Sequence, residues 1–400
     1  MSAITLEFLQ DLLKEDYPDV VIQEFQGAPG TKRGDNYTSM VYRISLKGIR
    51  KKDDESTEEP WESSIIYKCL PESVMRREAF KSDELFCNEV AFYTKIWPTL
   101  IKFQSQWEKM GFVMPDRRQG LTIEQSYFVL KHLSHFHALS LAMKYHNREE
   151  FYELLNIQDG ISEVFFVPEN EDYFKSYYTE ATQNAIAMVE EELRDSDMKD
   201  LYLEKFRKFC SEDTFFQTMV ELVAPREPLA VICHGDCWTN NFLFRHIDGD
   251  IAEMYIVDFQ LARYASPTLD LVYLMHLCLD REQRAGHLSS LLEYYADELH
   301  RRLVEMSNDD SVFHRNLNRD TLYEMLMEEF KRSSRFGLGI ALDMYPIMTC
   351  DSNEAPNLYQ SKDSETNPSH DCIKPVWTSN TACRRKMTDL IQELVDGGML

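Results

Sequence analysis

The sequence predicts an α+β protein with two lobes, a small β-rich lobe at residues 1–110 and a larger helical lobe at residues 111–400. β-Rich runs predict strands in the first lobe, and a helical apolar period over much of the later chain predicts helices in the second. Of the 400 residues, 44% are apolar and 12% are aromatic, which is enough for a sizeable core in two or three compact parts.

The first lobe contains a turn followed by two strand-like runs. Residues 34–44 predict a turn that feeds a strand, and this turn carries a single glycine with the polar residues Asn36 and Ser39. A later β-rich run carries Lys68 and stops at Pro71, because proline has no N–H to donate to a sheet.

A helix is predicted to follow from about Met75. Apolar residues recur there at near-helical spacing, at Leu85, Val90, Phe92 and Ile96. Glu89 lies in the same stretch. A lysine on a strand and a glutamate on a helix occur in nearly any α/β protein, so this pair alone indicates little.

The second lobe is predicted to be helical. Helical patterns cover residues 122–145, 170–209, 281–305, 317–342 and 381–396, and the last is stopped by Gly397 and Gly398. Residues 351–380, rich in Ser, Asn, Asp and Pro, predict a loop. The first helix contains His132, His135, His137 and His146. We expect core or surface histidines there, because His137 turns away from the others and no carboxylate lies among them.

Residues 233–260 have the spacing of a phosphoryl-transfer centre and are predicted to form the catalytic loop. Asp236 follows an apolar run, Asn241 comes five residues later, and Asp258 ends a second β-rich run. An alcohol attacking a γ-phosphate needs a carboxylate to accept its proton, and nucleotide-bound Mg²⁺ needs oxygen ligands. Asp236 is therefore predicted to be the catalytic base, and Asn241 and Asp258 the metal ligands. An Asp in a loop can also be a plain turn or cap residue.

Cys233 and Cys237 flank His234. A C-x-x-x-C pattern with one histidine lacks the second ligand pair that zinc prefers, so these cysteines are expected to be small buried fillers.

The phosphoryl-transfer hypothesis gives roles to the polar residues of the first lobe. The phosphates need a positioned cation, which Lys68 supplies, and Glu89 is its natural partner. Asn36 and Ser39 would contact phosphate through their side chains or through nearby backbone N–H groups. A plain β-hairpin is the alternative for this turn.

The acceptor is predicted to be a small molecule. Only nine residues separate Asp258 from Thr268, where a helical pattern begins. That leaves no room for the activation segment on which protein kinases hold peptides.

These motifs resemble the ecdysteroid kinase-like (CHK kinase-like) family of arthropods, which is related to choline kinases and aminoglycoside phosphotransferases. The resemblance rests on GDNYTSMVYRISL at 34–46, IIYKCLPE at 65–72, FCNEVAFYTKIWP at 86–98, LKHLSHFHALSLA at 130–142, VICHGDCWTNNFLF at 231–244 and IVDFQLARYASPTLDLVYLM at 256–275. It implies a bilobal protein-kinase-like fold, ATP and Mg²⁺ as cofactors, and a steroid-like or xenobiotic alcohol as the acceptor. It also implies that His234 and Asp270 support the catalytic loop, although Asp270 could be an ordinary acid in the first turn of a helix.

The sequence departs from the family between Trp97 and Gly111. Family members place two strands and an adenine-binding connector there, and this chain has no β-rich run that fits. The first lobe would then be shortened, with about three strands and an under-covered edge. A catalytically impaired pseudokinase, acting only as a binding module, is therefore the alternative function.

Composition limits the partners. A net charge of −25 argues against nucleic acid, whose binding requires neutralised phosphates. The N-terminus is not a signal peptide, and no apolar run approaches the roughly 18 residues that a membrane span needs. Nine cysteines without a repeated spacing suggest reduced thiols. We therefore expect a cytoplasmic protein that binds neither membranes nor nucleic acids and that has no protein substrate.

Overall fold

A computed structural model describes residues 4–14, 17–30, 39–51, 58–71, 73–97, 115–156, 160–247, 249–307, 317–350 and 380–400. These residues form two compact units that divide after Ser82. The first unit holds a three-stranded sheet and the second is mostly helical, which confirms the α+β class. The predicted lobe boundary at residue 110 lies outside the described residues.

The first unit is an antiparallel sheet covered by a short helix. Three strands pair in chain order, β1 (Val20–Pro29), β2 (Met40–Lys51) and β3 (Glu58–Cys69). Helix α1 (Leu6–Leu13) buries Leu9 and Leu13 in a core that includes Trp61. The Gln10 side chain ties this helix to β1, because it donates to the Val20 carbonyl (2.9 Å) and accepts from the Ile22 N–H (2.8 Å).

The helix predicted from residue 75 is interrupted. Helices α2 (Val74–Ala79) and α3 (Ser82–Ala91) are separated by Lys81, whose φ of 50° is left-handed, and a π-helical turn continues α3 over Phe92–Ile96. Leu85, Phe92 and Ile96 are buried as predicted. Val90 is 46% exposed, because five residues after Leu85 correspond to about 140° around a helix.

The second unit is built on two helix pairs. Helix α4 (Ile123–His146) begins at a capping box in which Thr122 and Gln125 bond each other's backbone N–H groups. The remaining helices are α5 (Arg148–Leu155), α6 (Glu171–Glu192), α7 (Lys199–Phe209), α8 (Phe215–Val223), α9 (Thr268–Cys278), α10 (Arg281–Glu305), α11 (Arg319–Thr349) and α12 (Thr381–Asp396). Helix α4 packs against α10, and α9, which is buried along its whole length, packs against α11.

Two short antiparallel ladders interrupt the helices. Strand β4 (Val231–Cys233) pairs with β7 (Arg263–Ala265), and β5 (Phe242–Ile247) pairs with β6 (Asp250–Ile256). The segment 234–241 therefore runs from β4 to β5, and the segment 257–262 runs from β6 to β7. Because both segments connect the same two ladders, the fold brings the two predicted motifs side by side.

Part of the sequence-based prediction lies outside the structure. Most of the predicted loop at 351–380 and nearly all of the segment between Trp97 and Gly111 fall outside the described residues. Among the helices that are described, none combines the length and the apolar character needed to cross a membrane.

Candidate active site

The first motif begins with a tight reversal at Gly235. Its φ is +86°, a conformation that L side chains rarely adopt, and an added Cβ would lie 1.9 Å from the Leu261 carbonyl oxygen. Glycine is therefore required at this position, because the chain turns immediately after His234 and presses against the segment that follows Asp258.

Asp270, in the first turn of α9, holds the backbone of this loop. Its Oδ2 accepts from the His234 N–H (2.7 Å) and its Oδ1 from the Gly235 N–H (2.8 Å). His137 of α4 also contacts Oδ2 through Nε2 (3.0 Å), and its Nδ1 bonds the Tyr295 hydroxyl (2.7 Å). Burial acts to raise the pKa of Asp270, but these partners outweigh it and lower the pKa below its ordinary value. An ionised carboxylate therefore anchors the loop.

His137 is a core histidine, as expected, and its carboxylate partner comes from outside its own helix. Its partner, Asp270, comes from a helix 133 residues later in the chain. Ligand atoms of His137, Cys233 and Asp270 lie within 4.8 Å of one another, as in a small metal site. Burial and the charge of Asp270 raise the pKa of Cys233 well above its ordinary value, so the thiol stays protonated. The cluster is therefore structural, and Cys233 and Cys237 are buried fillers as predicted.

Asp236 lies at the centre of the loop, and both its carboxylate oxygens are bonded. Oδ1 accepts from the Tyr273 hydroxyl (2.7 Å), and Oδ2 accepts from Asn241 Nδ2 (3.0 Å). The Asp236 N–H donates to His234 Nδ1 (3.1 Å), so the ring proton of His234 is on Nε2, which donates to the Val257 carbonyl (3.0 Å). His234 thus links the two motifs.

The environment of Asp236 favours proton acceptance. Burial, followed by repulsion from Asp258, raises the pKa of Asp236 above its ordinary value. The bonds from Tyr273 and Asn241 and the nearby His234 act in the opposite direction and limit the rise. A carboxylate with a raised pKa is a stronger base that is held in one orientation.

Asn241 and Asp258 are brought together by the β5–β6 ladder. Asn241 immediately precedes β5, and its carbonyl accepts from the N–H of Val257, the residue before Asp258 (3.0 Å). Asn241 uses Nδ2 to bind Asp236, and no described residue bonds its amide oxygen Oδ1. A free amide oxygen beside a carboxylate is the donor set that a hard cation such as Mg²⁺ prefers, so these residues fit the predicted metal.

The backbone at Asp258 is held in a strained conformation by its neighbours. Its φ of +68° is uncommon for a residue with a side chain. The next residue, Phe259, stacks on Phe92 with ring centroids 3.8 Å apart and lies edge-on to His234 (4.5 Å). Asn88 of α3 donates to the Gln260 and Ala262 carbonyls (2.8 and 3.0 Å). These contacts hold the backbone that follows Asp258 and compensate for the strain.

The residues predicted in the first lobe lie apart from this cluster in the chain. Lys68 lies on β3 opposite Val41, as the strand prediction requires. Ser39 precedes β2 and is 4% exposed, and Asn36 lies outside the described residues. Glu89 lies on α3 in the second unit. The pairing of Lys68 with Glu89 and the phosphate contacts of Asn36 and Ser39 remain predictions.

Three residues of the site were not anticipated from the sequence: Tyr273, His137 and Asn88. Tyr273 carries a usable signal, because it lies three residues after Asp270 and the two therefore share a helix face. His137 and Asn88 carry no such signal, since their partners are more than a hundred residues away along the chain.

Comparison with known proteins identifies the family of this chain. The ecdysteroid kinase-like family matches residues 33–110 and 106–308, which is more than half of the chain. Among solved structures, ethanolamine kinase from Plasmodium vivax is 12% identical, with a TM-score of 0.36 and coverage of 94% of this chain and 82% of that one. An aminoglycoside 2'-phosphotransferase-IIIa mutant in complex with GDP is 15% identical, with a TM-score of 0.33 and coverage of 84% and 100%.

Both structural similarities are distant, and the assignment rests on the family match. No curated protein sequence matches this chain. The chain belongs to the ecdysteroid kinase-like family, and it is a small-molecule kinase by type.

Proposed function

We propose that this protein is an ATP-dependent kinase that phosphorylates a hydroxyl group of a steroid-like or xenobiotic alcohol. The observation that carries the proposal is the buried Asp236 carboxylate, bonded to Asn241 and electrostatically coupled to Asp258. A base beside two oxygen donors for a cation is what transfer of a γ-phosphate to an alcohol requires.

In this proposal Asp236 accepts the proton of the acceptor hydroxyl. Each carboxylate oxygen has two lone pairs, so the bonds from Tyr273 and Asn241 leave a lone pair on each oxygen for the substrate. Asn241 Oδ1 and the Asp258 carboxylate would hold Mg²⁺, which when bound neutralises charge on the nucleotide phosphates. Lys68 would supply a further cation to the phosphates.

A small acceptor is supported by the chain that follows Asp258. The nine residues before Thr268 are occupied largely by the Phe259–Ala262 turn and by β7, and α9 begins directly afterwards. No segment remains there to hold a peptide. The eight cysteines among the described residues are all free thiols, which supports a reducing cytoplasmic location.

A second function, nucleotide-independent binding by an impaired pseudokinase, has one specific observation in its favour. The family match comes in two segments that meet at residues 106–110, within the stretch where the sequence lacks two strands and the connector. A chain without the connector would lose backbone hydrogen bonds to adenine.

The test is phosphorylation of a panel of steroid and plant-derived alcohols with Mg²⁺-ATP, followed by mass spectrometry of the products. Asp236→Asn should reduce turnover by about 10²–10⁴-fold, the usual contribution of a positioned base, and leave the melting temperature nearly unchanged. Asp250→Asn, the same substitution at the exposed first residue of β6, is the matched control. Equal activity of Asp236→Asn and Asp250→Asn on every accepted alcohol would remove Asp236 from the mechanism. Absence of any product with the wild-type chain would favour the pseudokinase.

A further inference from the structure

A groove with a volume of about 550 Å³ lies between α7, α11 and the C-terminal residues. Its walls carry five cationic side chains, Lys205 and Lys208 from α7 and Lys331, Arg332 and Arg335 from α11. Among the residues that the structure describes, no aspartate or glutamate side chain lines this groove. The concentration of positive charge is unexpected in a chain with 68 acidic and 43 basic residues.

The helical spacing places four of these cations in two pairs, one on each helix. Lys205 and Lys208 are three residues apart, and Lys331 and Arg335 are four apart, so each pair lies on a single helix face. Within the part of the chain that the structure describes, neither pair forms an ion pair or a side-chain hydrogen bond. On the same helix α7, in contrast, Lys199 and Arg207 both pair with Glu190 (3.4 and 3.1 Å).

Arg332 is held in the groove wall with one nitrogen unsatisfied. Its Nη2 donates to the Glu221 carbonyl (2.6 Å), whereas the buried Nη1 has no hydrogen-bond partner among the described residues. The nearest carboxylate, Glu329, already pairs with Arg226 at 3.0 Å and lies 3.8 Å from Arg332 Nη1. Burial lowers the pKa of Arg332, and repulsion from Arg226 and Arg335 acts in the same direction, whereas attraction to Glu329 and Glu221 opposes it. The positive charge of this wall is therefore only partly neutralised, by a carboxylate that Arg332 shares with Arg226.

The remaining lining suits an anion that also has an uncharged part. Thr214, the residue before α8, borders the groove, and the positive end of a helix dipole attracts anions. Phe209 and Met399 provide apolar surface. The volume lies within the range of small-molecule sites, about 300–1,000 Å³.

We propose that this groove binds a small molecule carrying two or more phosphate groups, at a site that shares no residue with the proposed catalytic centre. One phosphate would leave most of the five cations uncompensated, so a ligand with several phosphates fits the charge better. The same chemistry occurs in soluble polyphosphates and in phosphorylated lipid headgroups, and the groove dimensions favour a soluble ligand.

The test is calorimetric titration of the full chain with inorganic tripolyphosphate at low salt, with EDTA present to exclude metal-dependent binding. We expect the Lys208→Gln/Arg335→Gln double variant to bind about tenfold more weakly than wild type, because two charge-assisted contacts are lost. Binding should also weaken as salt is added, as expected for exposed charges. Lys14→Gln/Lys131→Gln removes the same charge at exposed positions outside the groove and should bind like wild type.

Further variants distinguish binding in this groove from binding at the proposed catalytic centre and from a folding defect. Lys208→Arg/Arg335→Lys keeps both charges and should retain binding, which guards against a folding defect as the cause. Asp258→Ala should bind tripolyphosphate normally in EDTA. The proposal is overturned if wild type does not bind, if the double variant binds like wild type, or if only Asp258→Ala loses binding. Sedimentation with phosphatidylcholine vesicles containing phosphatidylinositol 4,5-bisphosphate is the second arm, and binding to these vesicles alone would overturn a soluble ligand.

Discussion

At the residue scale, the organisation of the centre depends on how Asp236 is held. Tyr273 and Asn241 bond its two carboxylate oxygens, and His234 accepts its backbone N–H. Burial and the charge of Asp236 raise the pKa of Tyr273 well above its ordinary value, so its hydroxyl remains a donor throughout the physiological range. Tyr273 is thus a positioning residue that orients the proposed base and moderates its basicity.

Tyr273→Phe removes that hydrogen bond with little change in volume. Because the bond lowers the pKa of Asp236, its loss should raise that pKa further and move the acid limb of the kcat/KM profile to higher pH. We expect kcat to fall by about tenfold, the value of one hydrogen bond to a charged group, with little change in the KM for ATP. The measurement is a pH series of initial rates.

Tyr345→Phe is the matched control for Tyr273→Phe. The Tyr345 hydroxyl also makes a buried hydrogen bond, in this case to the His276 carbonyl (2.7 Å), but away from the catalytic loop. Removal of the Tyr345 hydroxyl should lower the free energy of unfolding about as much as Tyr273→Phe does, without moving the pH profile of kcat/KM. If both variants show the same pH profile as wild type, Tyr273 does not affect the pKa of Asp236.

Asp258→Ala should abolish metal-dependent binding of nucleotide. The carboxylate supplies the negative charge that holds Mg²⁺ next to the phosphates, and Asn241 alone contributes only a neutral oxygen. The measurement is titration with ATP, with and without Mg²⁺, under conditions in which Mg²⁺-dependent binding to the wild type has first been shown. Identical Mg²⁺ dependence in the wild type and the variant would contradict the assignment of Asp258 as a ligand.

At the element scale, α9 connects the catalytic loop to the helical core. The helix is buried along its whole length against α11, and it presents Asp270 and Tyr273 to the loop from one face. The loop is therefore positioned by one of the most deeply buried helices of the unit.

Asp270→Asn should destabilise the second unit by on the order of 2–4 kcal/mol. Two backbone N–H groups now donate to its carboxylate, and an amide NH₂ group cannot accept from one of them. Denaturant unfolding of Asp270→Asn against Asp320→Asn, whose side chain is 86% exposed, measures the difference. Equal stability of the two variants would show that the α9 anchor contributes little.

A second link between elements predicts how stability depends on pH. Tyr177 and Tyr178 of α6 donate to the Asp343 carboxylate of α11 (2.9 and 3.2 Å), and burial nonetheless raises the pKa of Asp343 to about 7. A raised folded-state pKa means that the contribution to stability is complete at acidic pH and is lost as pH rises towards about 7.

Asp343→Asn should remove this dependence. Between about pH 5.5 and about pH 8, wild type should lose roughly 1–2 kcal/mol of stability relative to the variant, measured by denaturant unfolding at each pH. Subtracting the two pH series removes the contribution of the net charge that both proteins share. Parallel pH profiles would mean that Asp343 titrates in its ordinary range.

At the scale of the whole molecule, the proposed catalytic centre belongs to a chain whose sequence has no β-rich run for an adenine-binding connector between Trp97 and Gly111. An intact kinase at 100 times its Kd for ligand would gain roughly 2.7 kcal/mol of stability. Because the sequence lacks the connector between Trp97 and Gly111, we expect millimolar Mg²⁺-ATP to raise the melting temperature of this chain little or not at all. Inserting the two strands and connector of a full-length relative should restore the shift. A large shift in the unmodified chain would show that another segment binds adenine.

The elements that the sequence predicted well are those with local signals. Helix α10 begins and ends where its periodicity placed it, because Asp280 and Gln283 form a capping box at its start. The break at Lys81 had no such signal, since a left-handed lysine is selected by its surroundings. The spacing from Asp236 to Asn241 placed both residues in one loop, whereas the His137–Asp270 contact depends on tertiary packing that periodicity cannot report.

The burial of the cysteines beside the catalytic loop determines how the protein can be labelled. Cys233, Cys237 and Cys278 are fully buried, and burial keeps the pKa of each thiol above its ordinary value, so maleimide reagents should not reach them in the native state. Cys87 on α3 is exposed. A fluorophore attached to Cys87 would therefore be placed on the helix that carries Asn88 and Glu89, and could report on nucleotide addition without modification of the centre itself.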